Sequence, residues 1–236
     1  MTTRERILVI GGTSGTGLLV AKRLFREAYG VRVLARDPDR AARLLEKEIE
    51  IVHGDLTLPE TLLPAVEGVD HIIFTAGAPS GRYAPERLVR QTDYQGVLDT
   101  LAAARHTRFH GRFLYMNSIG IKTHSVSAWL INLLKRNTLV WRRKVEEELR
   151  ASGVDYTVIR VGFLINRPGG RYRIRIGQDE LPLSPRHKIA REDVAEAFIR
   201  ALRDPNTSRR TLEIVQSREA GPTKWEECFA RLAPDP

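Results

Sequence analysis

Short apolar runs alternate along the chain with segments in which apolar residues recur at helical spacing. Arg6–Ile10, RILVI, is a short apolar run after its first residue and enters a glycine turn, which is typical of a fully buried parallel strand. In residues 18–28 the apolar side chains fall on one side of a helix, and Gly30 ends it. The same spacing predicts further strands at 31–35, 50–53, 71–75, 111–117, 155–161 and 211–216, separated by helices.

This repeated strand–helix order predicts an α/β fold, because parallel strands need crossover helices that cover both faces of the sheet. We expect a single Rossmann-like doubly wound domain over residues 1–236, with a seven-stranded, mostly parallel sheet. Residues 171–176 alternate and predict an exposed strand. They lie in an irregular stretch, 168–187, that is rich in Arg, Gly and Pro, and we expect it to form a small C-terminal lobe that covers the substrate.

A glycine-rich loop joins the first predicted strand to the first predicted helix. Its G-x-x-x-G-x-G spacing lets a backbone turn sharply and approach a pyrophosphate, while the helix N-terminus offers free N–H groups. The position between a strand and a helix is the context that supports such a motif. The predicted pyrophosphate site consists of Gly11, Thr13, Ser14, Gly15, Thr16 and Gly17.

Three further strand ends carry candidate dinucleotide contacts. Arg36 follows the second strand, where an arginine accommodates a 2′-phosphate, and therefore favours NADP over NAD. The neighbouring Asp37 is more consistent with a cap on the helix that starts at Pro38. After the third strand, Asp55 and Leu56 either contact adenine or, for Asp55, cap a helix. After the fourth, the small residues Ala76 and Gly77 leave room for a ribose.

Composition narrows the class of protein. The chain has 236 residues, 42% hydrophobic and 28% charged, and one cysteine, which is ordinary globular usage without a disulfide framework. With no apolar run of about 18 residues and no signal peptide, we expect a cytoplasmic protein without a membrane partner. The histidines show no metal-ligand spacing, so no metal is predicted. The sequence indicates no oligomeric state.

The formal net charge of +9 is concentrated, because no acidic residue occurs between Asp99 and Glu146. Such a local basic field suits an anionic ligand, either a phosphorylated cofactor or a nucleic acid. The bases are not interleaved with aromatic residues at the spacing of a nucleic-acid module, so nucleic-acid binding is the lesser alternative. Arg171, Arg173 and Arg175 share one strand face and indicate either an acidic substrate or a charge-protected edge strand.

With these sites in register, the chain resembles the short-chain dehydrogenase/reductase superfamily over about residues 5–216. It is most similar to the atypical, NmrA-like NAD(P)H-binding group, which includes plant chloroplast-type dehydrogenase-like proteins and flavin/biliverdin-IXβ reductases. Residues 139–164, LVWRRKVEEELRASGVDYTVIRVGFL, resemble the group's W-[KR]-R-K-A-E…SG-x-x-Y-T-[IV]-[IV]-R-[PA]-G pattern. Residues 189–195, IAREDVA, are similar to its I-S-R-x-D-V-A.

The resemblance implies roles for particular residues. Ser118 matches the serine that orients the substrate oxygen, and Lys144 matches the lysine that holds the nicotinamide ribose. Asp93 stands where an asparagine is expected. Val161, Gly162 and Phe163 replace the group's R-P-G-G-L and are expected to pass the nicotinamide through backbone groups.

The proton-donating tyrosine of ordinary family members has no match, because none of the six tyrosines is followed by a lysine four residues later. Counting back from Lys144 gives Val140, which cannot transfer a proton. Hydride transfer does not depend on that tyrosine, since the cofactor carries the chemistry. We therefore expect an NADP(H)-dependent reductase of a conjugated or flavin-like substrate that takes its proton from water. The alternative is a non-catalytic NADP(H)-binding sensor or scaffold.

Overall fold

The computed structural model describes residues 4–78, 85–123, 126–134 and 136–236. Eight strands form one sheet in the order β3-β2-β1-β4-β5-β6-β10-β8, and β7 and β9 form a separate pair. The strands are β1 Arg6–Ile10, β2 Gly30–Ala35, β3 Glu50–His53, β4 His71–Phe74, β5 Arg112–Ser118, β6 Asp155–Val161, β7 Phe163–Ile165, β8 Tyr172–Gly177, β9 Lys188–Ala190 and β10 Arg210–Ala220.

Helices cover both faces of this sheet, which confirms the predicted doubly wound α/β class. They are α1 Gly15–Arg26, α2 Pro38–Ala42, α3 Leu62–Val66, α4 Glu86–Arg90, α5 Gly96–His106, α6 Val126–Leu134, α7 Thr138–Ala151, α8 Arg191–Arg203 and α9 Trp225–Phe229. The helix predicted over 88–105 is interrupted by a π-helical turn at Gln91–Gln95 between α4 and α5. The predicted helix over 125–134 is observed from Val126, since Ser125 lies outside the described residues.

Apolar side chains from the two helical layers form two separate cores. On one face α1 and α8 pack against the strands, with Leu24 and Phe198 completely buried. On the other face α3, α5 and α7 do the same through residues such as Leu62, Val97 and Val145. Both faces of the strands therefore lie in apolar surroundings, which is why the strands read as continuous apolar runs rather than alternating ones.

The sheet has one strand more than the seven that the sequence predicts. The additional strand is β8, which pairs antiparallel with β10 instead of standing apart in a lobe. Its alternation is real, because Ile174 is buried while the arginines on either side are exposed. Arg173 pairs with Glu219 and Arg175 with Asp179, so these two arginines already have acidic partners on the protein surface. This favours the charged edge strand over the acidic-substrate interpretation.

The rest of the irregular stretch lies beside the carboxyl ends of the strands. Within it, Leu183 is buried against Gly120. That this stretch covers a substrate stays a prediction. In the part of the chain that the structure describes, no helix is both long and apolar enough to cross a bilayer.

Candidate functional site

A cleft of about 730 Å³ opens at the carboxyl ends of the central strands, where the strand order reverses between β1 and β4. This is the position at which open α/β sheets bind their ligands. The structure brings most of the predicted residues together as lining of this cleft: Gly11, Thr13, Ser14, Gly15, Thr16, Gly17, Arg36, Asp55, Leu56, Ala76, Gly77, Ser118, Val161, Gly162 and Phe163. Lys144 is the predicted site residue that is absent from this lining.

The glycine loop needs its glycines for steric reasons. Gly11 has a φ of 90°, and a Cβ there would lie 2.7 Å from the Ala76 nitrogen. A Cβ on Gly17 would lie 2.2 Å from the Gly11 carbonyl oxygen, a backbone atom that can move only if the loop itself is displaced. At the N-terminus of α1, the Ser14 side chain makes no capping hydrogen bond. The first N–H groups of the helix therefore face the cleft as donors for an anion.

An arginine that the sequence analysis did not assign lies beside this loop. Arg191 begins α8, and its Nη1 is 3.3 Å from Thr16 Oγ1. Its Nε donates to Asn166 Oδ1 at 2.8 Å, which fixes the guanidinium next to Gly15. The IAREDVA motif contains this residue, so a signal was present. The motif alone did not show that the arginine turns toward the glycine loop, because that depends on how α8 packs against α1.

Arg36, which follows β2, lines the cleft and is exposed, so its guanidinium is accessible to a phosphate. The capping interpretation of Asp37 is confirmed, since its side chain accepts a hydrogen bond from the Arg40 nitrogen at 2.9 Å. Asp55 lines the cleft, but its Oδ1 accepts from Thr57 N at 2.8 Å and from Thr57 Oγ1 at 2.9 Å. One carboxylate oxygen of Asp55 is thus used locally in the turn.

Lys144 lies on the outer face of α7, with its ammonium 4.8 Å from the centre of the Trp141 ring. The residues of α7 that line the cleft are Thr138, Leu139 and Arg142. Thr138 and Arg142 are four residues apart and therefore lie on the same side of the helix. Lys144, to which the resemblance assigns the role of holding the ribose, therefore does not line the cleft, whereas the Thr-x-x-x-Arg pair of Thr138 and Arg142 does.

The buried side chain of Asp93 contacts both Thr138 and Arg142. The side chain is 2% exposed, and its Oδ1 accepts from the Ala78 nitrogen at 2.6 Å. Its Oδ2 accepts a short hydrogen bond from Thr138 Oγ1 and lies 3.5 Å from Arg142 Nε. Burial acts to lower the pKa of Arg142, but the neighbouring Asp93 carboxylate outweighs it, so the pKa is raised and the guanidinium keeps its charge.

A second buried network continues beneath the cleft floor. Asn117 Nδ2 donates to the Arg142 carbonyl at 3.2 Å and to Glu146 Oε1 at 2.7 Å. Glu146 also pairs with Arg160 at 2.6 Å, and Arg160 lies 3.3 Å from Glu213. Burial raises the pKa of Glu213, and Arg160 opposes that effect. These contacts join β5, β6 and β10 to α7 and fix the backbone that carries Arg142.

Ser118, at the end of β5, also lines the cleft. Its hydroxyl donates to the Ile119 carbonyl at 3.0 Å, which leaves the oxygen lone pairs toward the cleft. Next to it, Gly162 N donates to Ile214 O at 3.2 Å and Phe163 N to His187 O at 2.7 Å. These two N–H groups are already bonded within the protein. Any backbone contact from this loop to a nicotinamide must therefore come from its carbonyl groups.

The basic stretch between Asp99 and Glu146 does not form one continuous cationic surface. Arg112 is paired with Asp155, Arg142 with Asp93, and Lys122 and Arg143 with the exposed carboxylates of Glu180 and Glu147. Within the described ranges, no three His, Cys, Asp or Glu side chains form a group that could hold a metal ion. The site chemistry is therefore that of a glycine loop, two arginines near it, and a hydroxyl–guanidinium pair on the opposite wall.

A parallel doubly wound sheet, a glycine loop at its switch point and an arginine after β2 define a dinucleotide-binding protein of the Rossmann type. The model of a family described as NAD(P)H-binding matches residues 11–205. The chain therefore belongs to the NAD(P)H-binding family, as its resemblance to short-chain dehydrogenases/reductases implies. This membership supports an oxidoreductase and does not favour either the non-catalytic or the nucleic-acid alternative.

Three similar proteins illustrate the family. The chloroplastic protein At2g37660 of Arabidopsis thaliana is 30% identical over 92% of this chain and 72% of its own. Sanguinarine reductase of Eschscholzia californica is 28% identical over 92% of both chains. A short-chain dehydrogenase/reductase of Veillonella parvula, solved in complex with NADP, superposes with a TM-score of 0.73 over 92% of this chain and 96% of its own, at 15% identity.

The cleft residues fit a nicotinamide dinucleotide. A Cβ at Gly11 or Gly17 would collide with protein atoms, the Ala76 nitrogen and the Gly11 carbonyl oxygen, so these glycines allow the tight turn that a pyrophosphate-binding loop requires. The volume of about 730 Å³ is within the range of cofactor sites, roughly 300–1,000 Å³. Arg36 and Arg191 supply positive charge at the two ends of the phosphate path, which suits an anionic cofactor.

Proposed function

We propose that this oxidoreductase is an NADPH-dependent reductase whose conjugated, flavin-like or quinone-like substrate takes its proton from water. One observation carries the proposal: the wall opposite the glycine loop presents Ser118, Thr138 and Arg142 but no tyrosine among the described residues. Tyr83 lies outside the described residues. A hydroxyl–guanidinium pair can hold a ribose, whereas a threonine bonded to an ionised carboxylate is a poor source of a proton.

The bound cofactor would supply the hydride, and the residues of this chain bind and orient. Thr138 donates its proton to Asp93, so its oxygen is free to accept from a hydroxyl of the nicotinamide ribose. Arg142 donates to the Met116 carbonyl at 3.1 Å and has further N–H groups for the same sugar. In this proposal Ser118, which lines the cleft, would orient the substrate atom that gains charge during hydride transfer. The role assigned to Lys144 by the resemblance passes to Arg142.

The preference for NADPH rests on Arg36, which we propose contacts the 2′-phosphate. A charge-assisted arginine–phosphate contact contributes about 1.5–3 kcal/mol, or roughly 10- to 100-fold in affinity. Calorimetric titration with NADPH and with NADH tests this. We expect Arg36→Ala to remove the preference, while Arg40→Ala, an exposed arginine one turn away on α2, retains it. Equal affinity of the unaltered protein for both cofactors would contradict the assignment.

Turnover is tested by following NADPH consumption with a flavin, a quinone and a simple ketone. We expect consumption with the flavin or the quinone and a fall of about 10- to 100-fold in kcat for Ser118→Ala, as typical for an orienting hydroxyl. Ser217→Ala, which alters a surface serine in β10, is the control. Tight NADPH binding without turnover on any acceptor would favour the sensor alternative. Fast ketone reduction would show that a proton donor is present in the cleft.

The cytoplasmic location expected from the sequence stays a prediction. The Arabidopsis relative is described as chloroplastic, so the family is not confined to one compartment.

A further inference from the structure

Helix α6 exposes a continuous apolar stripe. Val126 is 82% exposed, Trp129 65% and Leu133 57%, and Leu130 and Leu134 are also exposed. Their positions, i, i+3, i+4, i+7 and i+8, lie on one side of a helix. We call these five side chains the α6 stripe. Large exposed apolar residues elsewhere on the described surface are few and scattered, whereas here they are contiguous. A contiguous exposed patch marks a contact surface.

The opposite side of α6 is already used by the fold. Ala128 is buried in a small apolar cluster, and Ile131 packs against that cluster and lines the cleft. The α6 stripe is therefore the outer side of this helix, because the inner side already packs against the fold. It also means that one helix separates the cleft from whatever contacts the stripe.

The size of the stripe argues against a second copy of the chain as its partner. A helix of nine residues is about 13 Å long, so its outer face falls well short of the roughly 800 Å² that each partner of a stable dimer buries. A lipid surface needs no such area, since apolar side chains and a tryptophan insert one by one below the headgroups.

The sequence around α6 contributes basic residues and no acidic ones, although the fold brings Glu86 to Asn137, whose Nδ2 donates to Glu86 Oε1 at 3.1 Å. The helix lies within the stretch from Asp99 to Glu146 that contains no acidic residue. Arg136 follows α6 closely, is exposed, and makes no ion pair among the described residues. An apolar stripe next to unpaired positive charge complements the negatively charged headgroups of an anionic bilayer.

We propose that the α6 stripe docks this protein reversibly on membranes that contain anionic lipid, with Trp129 and the leucines inserted at the headgroup boundary and Arg136 contacting lipid phosphate. The docking is interfacial and is compatible with the absence of a spanning helix in the described ranges. It places the cleft, through Ile131, beside the lipid surface, where apolar substrates are concentrated.

Sedimentation of the full chain with vesicles tests the proposal. One set of vesicles consists of phosphatidylcholine alone and the other contains one-third phosphatidylglycerol. We expect the protein to sediment with the anionic vesicles at least fivefold more than with the neutral ones. A double variant, Leu133→Glu with Leu134→Glu, should lose sedimentation by at least tenfold, and Arg136→Gln should lose several-fold on anionic vesicles only. Leu58→Glu is the control, because Leu58 lies outside α6 and is 47% exposed, similar to Leu134 at 52%.

NADPH binding by each variant, measured by calorimetry, shows that the fold is intact. Retention of the unaltered protein in the supernatant with anionic vesicles would overturn the proposal. So would equal losses in the α6 double variant and the Leu58 control. A concentration-dependent dimer in light scattering that the α6 double variant abolishes, without vesicle binding, would show that a second copy covers the stripe instead.

Discussion

The two walls of the cleft are built in different ways. The wall at the glycine loop is made of backbone: its shape depends on Gly11 and Gly17, where a single added carbon would collide with main-chain atoms. The opposite wall is made of side chains, with Thr138 and Arg142 held in place by the buried carboxylate of Asp93. Steric demands of the first kind are local in sequence, whereas the ionic contacts of the second join residues far apart along the chain.

This difference predicts different failures on mutation. Substitutions in the backbone wall should weaken binding of the dinucleotide and have a moderate effect on folding, because the glycine loop lies at the surface of the cleft. Damage to the side-chain wall should affect folding first, because it leaves a buried charge without a partner. Three pairs of variants test this comparison, and a fourth pair, outside both walls, tests the dependence of stability on pH.

The largest expected effect comes from Asp93→Ala. Loss of the carboxylate leaves the Arg142 guanidinium and the Ala78 N–H without their acceptor, and breaking a buried pair costs about 3–5 kcal/mol in free energy of unfolding. Urea denaturation measures this value. Asp37→Ala, which removes only an exposed helix cap, should cost about 1 kcal/mol. Similar losses for the two variants would show that the side-chain wall is not more critical for folding than the surface.

Gly17→Ala should weaken NADPH binding by about 100-fold, equivalent to roughly 2.7 kcal/mol, because the new Cβ pushes the loop away from the pyrophosphate. Gly30→Ala is the matched control, since its Cβ would meet its nearest neighbour at an ordinary 3.5 Å. Calorimetric titration of both variants decides. Unchanged affinity in Gly17→Ala would mean that the pyrophosphate does not lie on this loop.

Arg142→Lys and Lys144→Ala distinguish the two cations of α7. Arg142→Lys keeps the charge beside Asp93 but loses the fork of donors, so we expect KM for NADPH to rise about 3- to 10-fold, or roughly 1 kcal/mol. Lys144→Ala removes an exposed cation over Trp141 and should leave KM within about twofold. If Lys144→Ala raised KM for NADPH more than Arg142→Lys does, Lys144 rather than Arg142 would be the residue that holds the cofactor.

The smallest effect concerns His71 in β4. Burial lowers the pKa of His71 in the folded protein, while its Nδ1 accepts from the Arg112 nitrogen at 3.0 Å. The neutral ring therefore stabilises the fold above the ordinary pKa of about 6.5, and this contribution is lost as the pH falls below it. His71→Asn should flatten the pH dependence of the melting temperature between pH 7 and 5. His53→Asn, at the exposed end of β3, should not.

The sequence predicted what depends on local pattern. The positions of the main strands along the chain, the glycine loop and the cap at Asp37 each follow from residues close together in the chain. The lysine was misplaced because WRRK offers three cations within one helical turn, and only packing shows that Arg142 faces Asp93. Arg191 was missed because α8 must pack against α1 before its side chain reaches Thr16. The sequence analysis placed β8 in a separate lobe, because neither strand's own sequence indicates that β8 pairs antiparallel with β10.

Because Asp93 contacts both Thr138 and Arg142, it also limits which substitutions these two positions can accept. As long as position 93 is acidic, position 142 must stay cationic, so Lys and Arg can exchange there but a neutral residue cannot follow without a second substitution. Position 138 needs only a hydroxyl that reaches Oδ2, a weaker demand that several residues meet. A single substitution at position 138 can therefore change the hydroxyl that faces the cleft while the buried charge pair persists, so the acid–base chemistry of this wall can vary without loss of the contacts that shape it.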